Sequence, residues 1–223
     1  LFGEPARHAP SREQEPVDLQ AQSLADFLDA VAAATPIPAG GTVAALVGAL
    51  AASLGIMGAR LSRQRGVEHR LSEISRRLRE LMQADGDAYQ RFLQATRLEK
   101  TDRTRPAVLS SALHLATEIP LEIAEQATEA GALLHACSAE VKLRVRSDLT
   151  VGLMLAIAAA DAGRHTVAEN INIQHNPRLK SSLLDRIQQM TNRLEELRGL
   201  CYTAPLSQGQ AGTRKKPVQA SPG

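Results

Sequence analysis

Residues 38–62 read PAGGTVAALVGALAASLGIMGARLS, and this stretch decides the fold class. The segment from Val43 to Ala59 carries no charge and consists mostly of alanine, glycine and leucine. It is slightly shorter than the about 20 apolar residues that cross a bilayer. We therefore interpret it as a buried helix of a bundle, with a transmembrane helix as the alternative.

The overall composition agrees with a helical bundle. Hydrophobic residues make up 43% of the chain but aromatic residues only 2%. A core of Ala, Leu, Ile and Val without rings suits tightly packed helices better than a β-sandwich. Apolar residues recur at helical spacing and nowhere alternate as in a strand. The sequence predicts an all-α fold, an antiparallel bundle of about six helices that forms a dimer.

The expected helices run over about 23–34, 41–62, 67–98, 105–139, 147–173 and from Pro177 onward. Ser23 and Ser147 are the predicted N-caps of the first and fifth helices. Pro120 is expected to kink or break the fourth helix. Residues 18–200 form the predicted helical domain, preceded by a mobile leader (1–17) and followed by a disordered tail (201–223).

Charge and cysteine usage exclude several classes of partner. The formal net charge is +2, whereas nucleic-acid or anionic-membrane binding usually needs a strongly basic face. Cys137 and Cys201 have no metal or redox spacing, which indicates a cytoplasmic location. No two histidines lie four residues apart, so we predict no metal site. Residues 1–8 lack the apolar core of a signal peptide.

Three short motifs could bear chemistry. Gly40-Gly41-Thr42 opens the second helix, where glycines let backbone amides approach a ligand and the helix start favours negative charge. The lysine of a Walker loop is absent, and a purely structural turn is the alternative.

The other two motifs are acidic. Asp85 and Asp87 lie two apart on the third helix and point to different faces, so they are not an acid/base pair. A solvated face explains them as well as a site would. Ser147-Asp148 has the composition of any helix start, so a structural role is again the alternative.

The order of these motifs is informative where each alone is not. The chain contains, in sequence, a Pro-x-Gly-Gly-Thr turn (38–42) with its Ala-rich helix, Asp-Gly-Asp-Ala-Tyr (85–89), Arg105, Ala-Thr-Glu-Ile-Pro-Leu (116–121), Arg-Ser-Asp-Leu (146–149) and Glu-Asn-Ile (169–171). This series resembles the cyclodeaminase domain of formiminotransferase-cyclodeaminases, also found as free-standing methenyltetrahydrofolate cyclohydrolases. The likeness covers about Ser23 to Leu197.

The resemblance implies a helical protomer that dimerises and binds a folate near the subunit interface. It implies closure or opening of the methenyltetrahydrofolate ring, without metal or redox cofactor, with a tetrahydrofolate derivative as substrate. Asp87 would be the proton donor, with a pKa raised by burial. The substrate-binding residues would be Gly40, Gly41, Thr42, Arg65, Arg105, Ser147, Asp148 and Asn170.

Some positions depart from the family pattern. Ala39 replaces a glycine and would cost roughly 1 kcal/mol if that position had positive φ. Val141-Lys142 replaces Gly-Asn, and Leu98-Glu99-Lys100 replaces Leu-Pro-Lys on a shortened loop. The alternative function is therefore a catalytically degenerate helical dimer that serves as a folate-binding or scaffold module.

Overall fold

Six α-helices make up the computed structural model, which describes residues 18–174 and 176–203; these residues contain no strand. The helices are α1 (Leu24–Ala32), α2 (Gly40–Leu61), α3 (Arg65–Arg97), α4 (Arg105–Ser138), α5 (Leu143–Asn172) and α6 (Pro177–Thr203). The predicted all-α class is confirmed. The leader predicted over 1–17, and residues 204–223 of the predicted tail, lie outside the described residues.

The Ala/Gly-rich helix α2 packs against α3, α4 and α5. A Cβ added to Gly48 would lie 3.1 Å from Leu78 of α3 and 3.5 Å from Ala159 of α5. Neighbouring helices thus approach α2 closely from more than one side. Only small residues fit at these contacts. The small residues of α2 at these positions therefore serve packing within the chain.

Contacts along α2 show that α3 and α5 run antiparallel to it. Gly48 faces Leu78 and, two turns further along α2, Gly55 faces Leu71, earlier in α3. In the same way Gly48 faces Ala159, whereas Gly58 faces Leu149, earlier in α5. By length and composition α2 could also cross a membrane, but 56% of its apolar window is buried in the bundle.

Of the kink or break expected at Pro120, a break does not occur: α4 continues from Arg105 to Ser138 through the proline. Pro120 has no N–H, so the carbonyl of Ala116 loses its partner within the helix. The side-chain amide of Asn170 in α5 donates to that carbonyl at 2.7 Å. Gly163 lets α5 approach this point, since a Cβ there would lie 2.6 Å from the carbonyl oxygen of Pro120.

Other boundaries also differ from the predicted ones. Helix α5 begins at Leu143, with Lys142 as its N-cap residue, so Ser147 lies inside the helix and does not cap it. Val141 and Val145 pack in the same apolar cluster. This packing accounts for the start of α5 before the predicted residue Ser147. At the C-terminal end α6 continues to Thr203, three residues past the predicted domain end at 200, and Cys201 is buried beside Leu197.

Local cap chemistry predicts other helix ends correctly. Ser23 caps α1, because its side-chain oxygen accepts the backbone N–H of Asp26 at 3.1 Å. Pro177 opens α6, and the Asn176 side chain accepts the amides of Arg178 and Leu179. Such caps satisfy amides that have no partner inside the helix.

Three glutamates of α4, Glu118, Glu122 and Glu125, form ion pairs that set how the neighbouring helices align with α4. Glu122 accepts two hydrogen bonds from Arg77 of α3, at 2.6 and 2.8 Å. On the other side Arg186 of α6 binds Glu118 and Glu125. These pairs are half-exposed and stabilise the fold only modestly, but their bidentate geometry specifies how the helices align.

Candidate functional site

A carboxyl group is buried at the start of α2. Asp85 of α3 is only 8% exposed, although aspartate is almost never buried without a partner. Its partner is Thr42, which is fully buried and whose Oγ1 donates to Asp85 Oδ2 at 2.9 Å. Gly41 makes the room, because a Cβ there would overlap Oδ1 and lie 2.6 Å from Cγ of Asp85.

The local chemistry of α2 explains why a carboxylate fits here. The N-cap residue of α2 is Ala39, whose side chain cannot accept a hydrogen bond from the first-turn amides. The start of a helix carries partial positive charge from those amides. Asp85 supplies the oxygen that Ala39 lacks, from a neighbouring helix. Ala39 itself is unstrained, with φ −118, so the cost expected for positive φ does not arise.

Burial raises the pKa of Asp85 above its ordinary value of 3.8. Removing the carboxylate from water is the largest influence, because it disfavours the charged form. Hydrogen bonds from the hydroxyl and the backbone amide of Thr42 act in the opposite direction but do not cancel it. The site thus combines a carboxyl that holds its proton more firmly than usual with a donor that stabilises its charged form.

Asp87, the proton donor implied by the resemblance, lies on the exposed side of α3. Its Oδ1 accepts a hydrogen bond of 3.2 Å from Gln83. The burial expected for the acid is found at Asp85 instead. The sequence contained a signal for this, because Asp85 continues the buried positions Leu78 and Leu81 at helical spacing, whereas Asp87 does not.

Residues before α1 and α2 cover α3 next to the buried acid. Ile37 contacts the position of Gly86, where a Cβ would lie 3.1 Å from Ile37 Cγ2. Leu19 is buried nearby and its backbone N–H donates to the side chain of Gln83 at 3.1 Å. The residue after Asp85 is therefore covered from this side.

The structure does not bring all the predicted binding residues together within one protomer. Gly40, Gly41 and Thr42 lie at one end of α2. Leu149 contacts Gly58, which lies about 25 Å further along α2 at 1.5 Å per residue. Ser147 and Asp148 therefore lie near the opposite end of the bundle, as does Arg65, the first residue of α3, and all three are exposed.

Two further predicted residues have structural partners. Arg105 begins α4, and its Nε donates to the carbonyl of Leu98 at 3.0 Å, which closes the turn between α3 and α4. Asn170 lies toward the Asp85 end of the bundle but uses its amide on the Ala116 carbonyl. These contacts account for both residues without a ligand, and they leave the predicted binding roles untested.

An open apolar groove lies beside the start of α2. It measures about 400 Å³. Its lining is formed by Val31, Pro38, Ala39, Gly40, Val43, Ala44, Val47, Ala158, Ala159 and Ala162. None of these side chains is charged, and most are small. The groove adjoins Gly40, one residue from the glycine that contacts Asp85.

Clusters of His, Cys, Asp or Glu side chains bind metal ions in proteins. Within 18–174 and 176–203, no group of three or more His, Cys, Asp or Glu side chains is arranged to hold an ion. Cys137 and Cys201 are both buried, and burial raises the pKa of each thiol. Thiols in that state are poor ligands and poor nucleophiles.

The fold and site define a class: an all-helical bundle with a buried carboxyl, whose pKa is raised by burial, at the start of its Ala/Gly-rich helix. A profile of the formiminotransferase-cyclodeaminase family matches residues 23–189. The match covers well over half of the chain, so the protein belongs to that family.

Individual relatives support the same grouping. A formimidoyltransferase-cyclodeaminase of Gallus gallus is 27% identical over 198 residues, and a methenyltetrahydrofolate cyclohydrolase of Methylorubrum extorquens is 29% identical over 198 residues. Each alignment covers 82% of this chain, but 36% of the chicken protein and 90% of the bacterial one. The chain thus spans about a third of the first relative and most of the second.

A solved structure shares the fold. The formiminotetrahydrofolate cyclodeaminase of Thermotoga maritima superimposes with a TM-score of 0.74 at 21% identity, over 82% of this chain and 95% of that one. At this identity the likeness concerns the fold alone.

Proposed function

We propose that this protein is a folate-dependent one-carbon enzyme that closes or opens the methenyltetrahydrofolate ring, with Asp85 as its proton donor. The relatives named above carry out cyclodeaminase or cyclohydrolase reactions, by their names. The observation that carries the assignment of the acid is the burial of Asp85 against Gly41 and Thr42, together with its raised pKa.

The chemistry needs such a group. In the deaminase direction one folate nitrogen attacks the formimino carbon held by the other, a ring closes, and the C–N bond to the leaving nitrogen breaks. That nitrogen must take up a proton before it departs as ammonia. A carboxyl that stays protonated above its ordinary pKa can supply it, and a positioned acid typically contributes about 10²–10⁴-fold. Hydrolysis of the ring uses water as nucleophile and needs similar proton transfers.

The apolar groove beside Gly40 suits the flat rings of the substrate. Ligand sites are usually lined by apolar groups with a few polar groups at one end. Here small alanines line the groove, which reaches the first turn of α2 at Gly40. Asp85 is not part of this lining and lies against the next residue, Gly41. A folate lying in the groove would bring its reacting nitrogens toward the start of α2.

A second copy of the chain would complete the site. An exposed apolar face runs along α2 and α5 and includes Leu50, Val151 and Met154. If two protomers pair across this face with their α2 helices antiparallel, the end that carries Ser147 and Asp148 lies beside the partner's Asp85 end. This arrangement would reunite the binding residues that one protomer keeps apart, so we propose a homodimer with a shared site.

One observation favours the alternative, a degenerate module that binds folate without turnover. Asp85 also stands in for the missing cap of α2, and this role alone would explain its position. A capping carboxylate contributes to stability whether or not a reaction takes place.

Two matched substitutions on α3 test the proposal. Asp85→Asn keeps the shape and the hydrogen bonding but removes the transferable proton, so turnover should fall by about 10²-fold or more. Asp87→Asn makes the same chemical change two residues away on the exposed side and should leave turnover within a few-fold. The measurement is near-ultraviolet absorbance of the methenyl ring, in both the ring-closing and ring-opening directions.

The results separate three readings. A wild-type protein inactive in both directions that still binds folate would establish the degenerate module. Loss of activity in Asp87→Asn, with Asp85→Asn active, would show that the exposed residue Asp87 is the proton donor. Equal, small effects of both substitutions would reject Asp85 and Asp87 alike as the proton donor.

A further inference from the structure

Thr42 forms a polar contact in the interior of the protein. Its side chain is fully buried, and its hydroxyl donates to Oδ2 of Asp85 at 2.9 Å across the interface between α2 and α3. The buried threonines Thr117 and Thr128 of α4 behave differently, because each donates to a carbonyl of its own helix at 2.7 Å. Thr42 alone of these three turns its hydroxyl to another helix.

We propose that Thr42 is a positioning residue, which holds the Asp85 carboxyl in one orientation before and after that carboxyl gives up its proton. The proposal rests on the proposed role of Asp85 as proton donor. It gives Thr42 a task different from the substrate contact that the resemblance implies for it.

A hydroxyl suits this task because it can both donate and accept. When Asp85 is protonated, one carboxyl oxygen still accepts the Thr42 hydrogen bond. As the proton moves to the leaving nitrogen of the substrate and the C–N bond breaks, Asp85 becomes a carboxylate. The same hydroxyl then donates to a charged acceptor, and such bonds are stronger than neutral ones. The contact therefore strengthens as the reaction proceeds, which is the condition for accelerating it.

Apart from burial, Thr42 is the group that acts on the pKa of Asp85. Helix α2 carries no titratable residue from Gly40 to Ala59. The titratable groups on the elements packed around Asp85 are Asp18, Asp26, Asp29, Asp87, Tyr89, Arg91, His114 and Glu118. None of these contributes to the pKa shift of Asp85, which reflects burial and the two hydrogen bonds from Thr42.

The direction of the effect follows from the contact. Thr42→Val keeps the shape but removes a hydrogen bond that favours the charged form, so the pKa of Asp85 should rise further. The limb of the kcat–pH profile that reports loss of the acid's proton should move to higher pH. The value of kcat should fall by about tenfold, because the carboxylate formed during proton transfer loses its donor. KM should change little.

Three companion variants separate positioning from simple stability. Thr42→Ser retains the hydroxyl and should restore both the profile and kcat. Thr128→Val makes the same substitution at another buried threonine and should leave the profile unmoved. Thr42→Ala replaces Thr42→Val if the valine variant does not fold. A fall in melting temperature with an unmoved profile in the Thr42 variants would mean that Thr42 is only structural.

A second readout does not depend on turnover. Carbon-13 NMR of protein labelled at its aspartate carboxyls can follow the titration of Asp85, assigned by the resonance missing from Asp85→Asn. The titration should move to higher pH in Thr42→Val and return in Thr42→Ser. If the wild type turns over no folate, the proposed function fails while this measurement still tests the contact. An unmoved titration overturns the proposal whatever the activity.

Discussion

Gly41 leaves the space that the Asp85 carboxyl occupies. Its φ is not positive, so its small size and not its backbone freedom is what the site uses. Gly41→Ala would push a methyl group into the carboxyl and force α2 or α3 to shift. We expect the free energy of unfolding to fall by about 1–3 kcal/mol, which is typical of overpacking. Turnover should fall by a larger fraction of its wild-type value than the free energy of unfolding does.

The neighbouring Gly40 provides the control for this prediction. It has nothing within 4 Å of an added Cβ and the same helical surroundings. Gly40→Ala should therefore leave stability unchanged or slightly raise it, because alanine favours a helix more than glycine does. Equal effects of the two substitutions on urea unfolding would show that Asp85 is not held against Gly41.

At the same scale, the buried acid could have been predicted from the sequence, but its partner could not. Asp85 continues an apolar stripe of α3, which already marks it as inward-facing. That Thr42 lies opposite depends on how α2 and α3 align, and this alignment arises from side chains spread along both helices. Local propensity contains no information about such an alignment.

Helix α4 shows how one element depends on another. The proline rule predicts a kink or a break at Pro120, yet α4 is not broken there, and Asn170 of α5 satisfies the carbonyl that the proline leaves without a donor. The rule describes one helix in isolation, and the compensating group lies 54 positions away in the chain. By contrast, Ser23 and Asn176 act on their own helices, so those starts follow from local sequence.

The pairing of Asn170 with Pro120 can be measured by a double-mutant cycle. Asn170→Ala leaves a carbonyl unpaired and should cost about 1–3 kcal/mol in unfolding free energy. Pro120→Ala restores the backbone N–H within α4, so Asn170→Ala should cost much less in that background. Additive effects would show that Asn170 does not compensate for the proline. A raised KM for folate with unchanged stability would instead support the binding role that the resemblance implies.

At the scale of the whole molecule, α2 and α5 together leave an apolar surface open to solvent. Leu50 and Leu61 of α2 are 51% and 64% exposed, and Val151 and Met154 of α5 are about half exposed. A second groove, of about 460 Å³, is lined by residues of α2 alone: Ser53, Ile56, Met57, Arg60 and Leu61. Several large apolar side chains exposed on two helices that pack together make this a candidate interaction surface.

Two leucines with similar exposure test whether this surface is the dimer interface. Leu50 lies on the α2 face, whereas Leu184 lies on α6 and is 47% exposed. Leu50→Asp should convert the dimer to a monomer at micromolar concentration, because it places a charge in an apolar interface. Leu184→Asp should leave the dimer intact. Sedimentation equilibrium reports both outcomes.

The proposed shared site leads to a second prediction for the same two variants. If Ser147 and Asp148 of one protomer complete the Asp85 site of the other, then Leu50→Asp should lose turnover together with assembly. Raising its concentration should restore both in parallel, since binding of protomers follows mass action. Leu184→Asp should show neither effect. A fully active monomer would mean that each protomer carries a whole site, and the separation of Ser147 and Asp148 from Asp85 would then exclude them from it. A wild-type chain that sediments as a monomer would exclude the dimer itself.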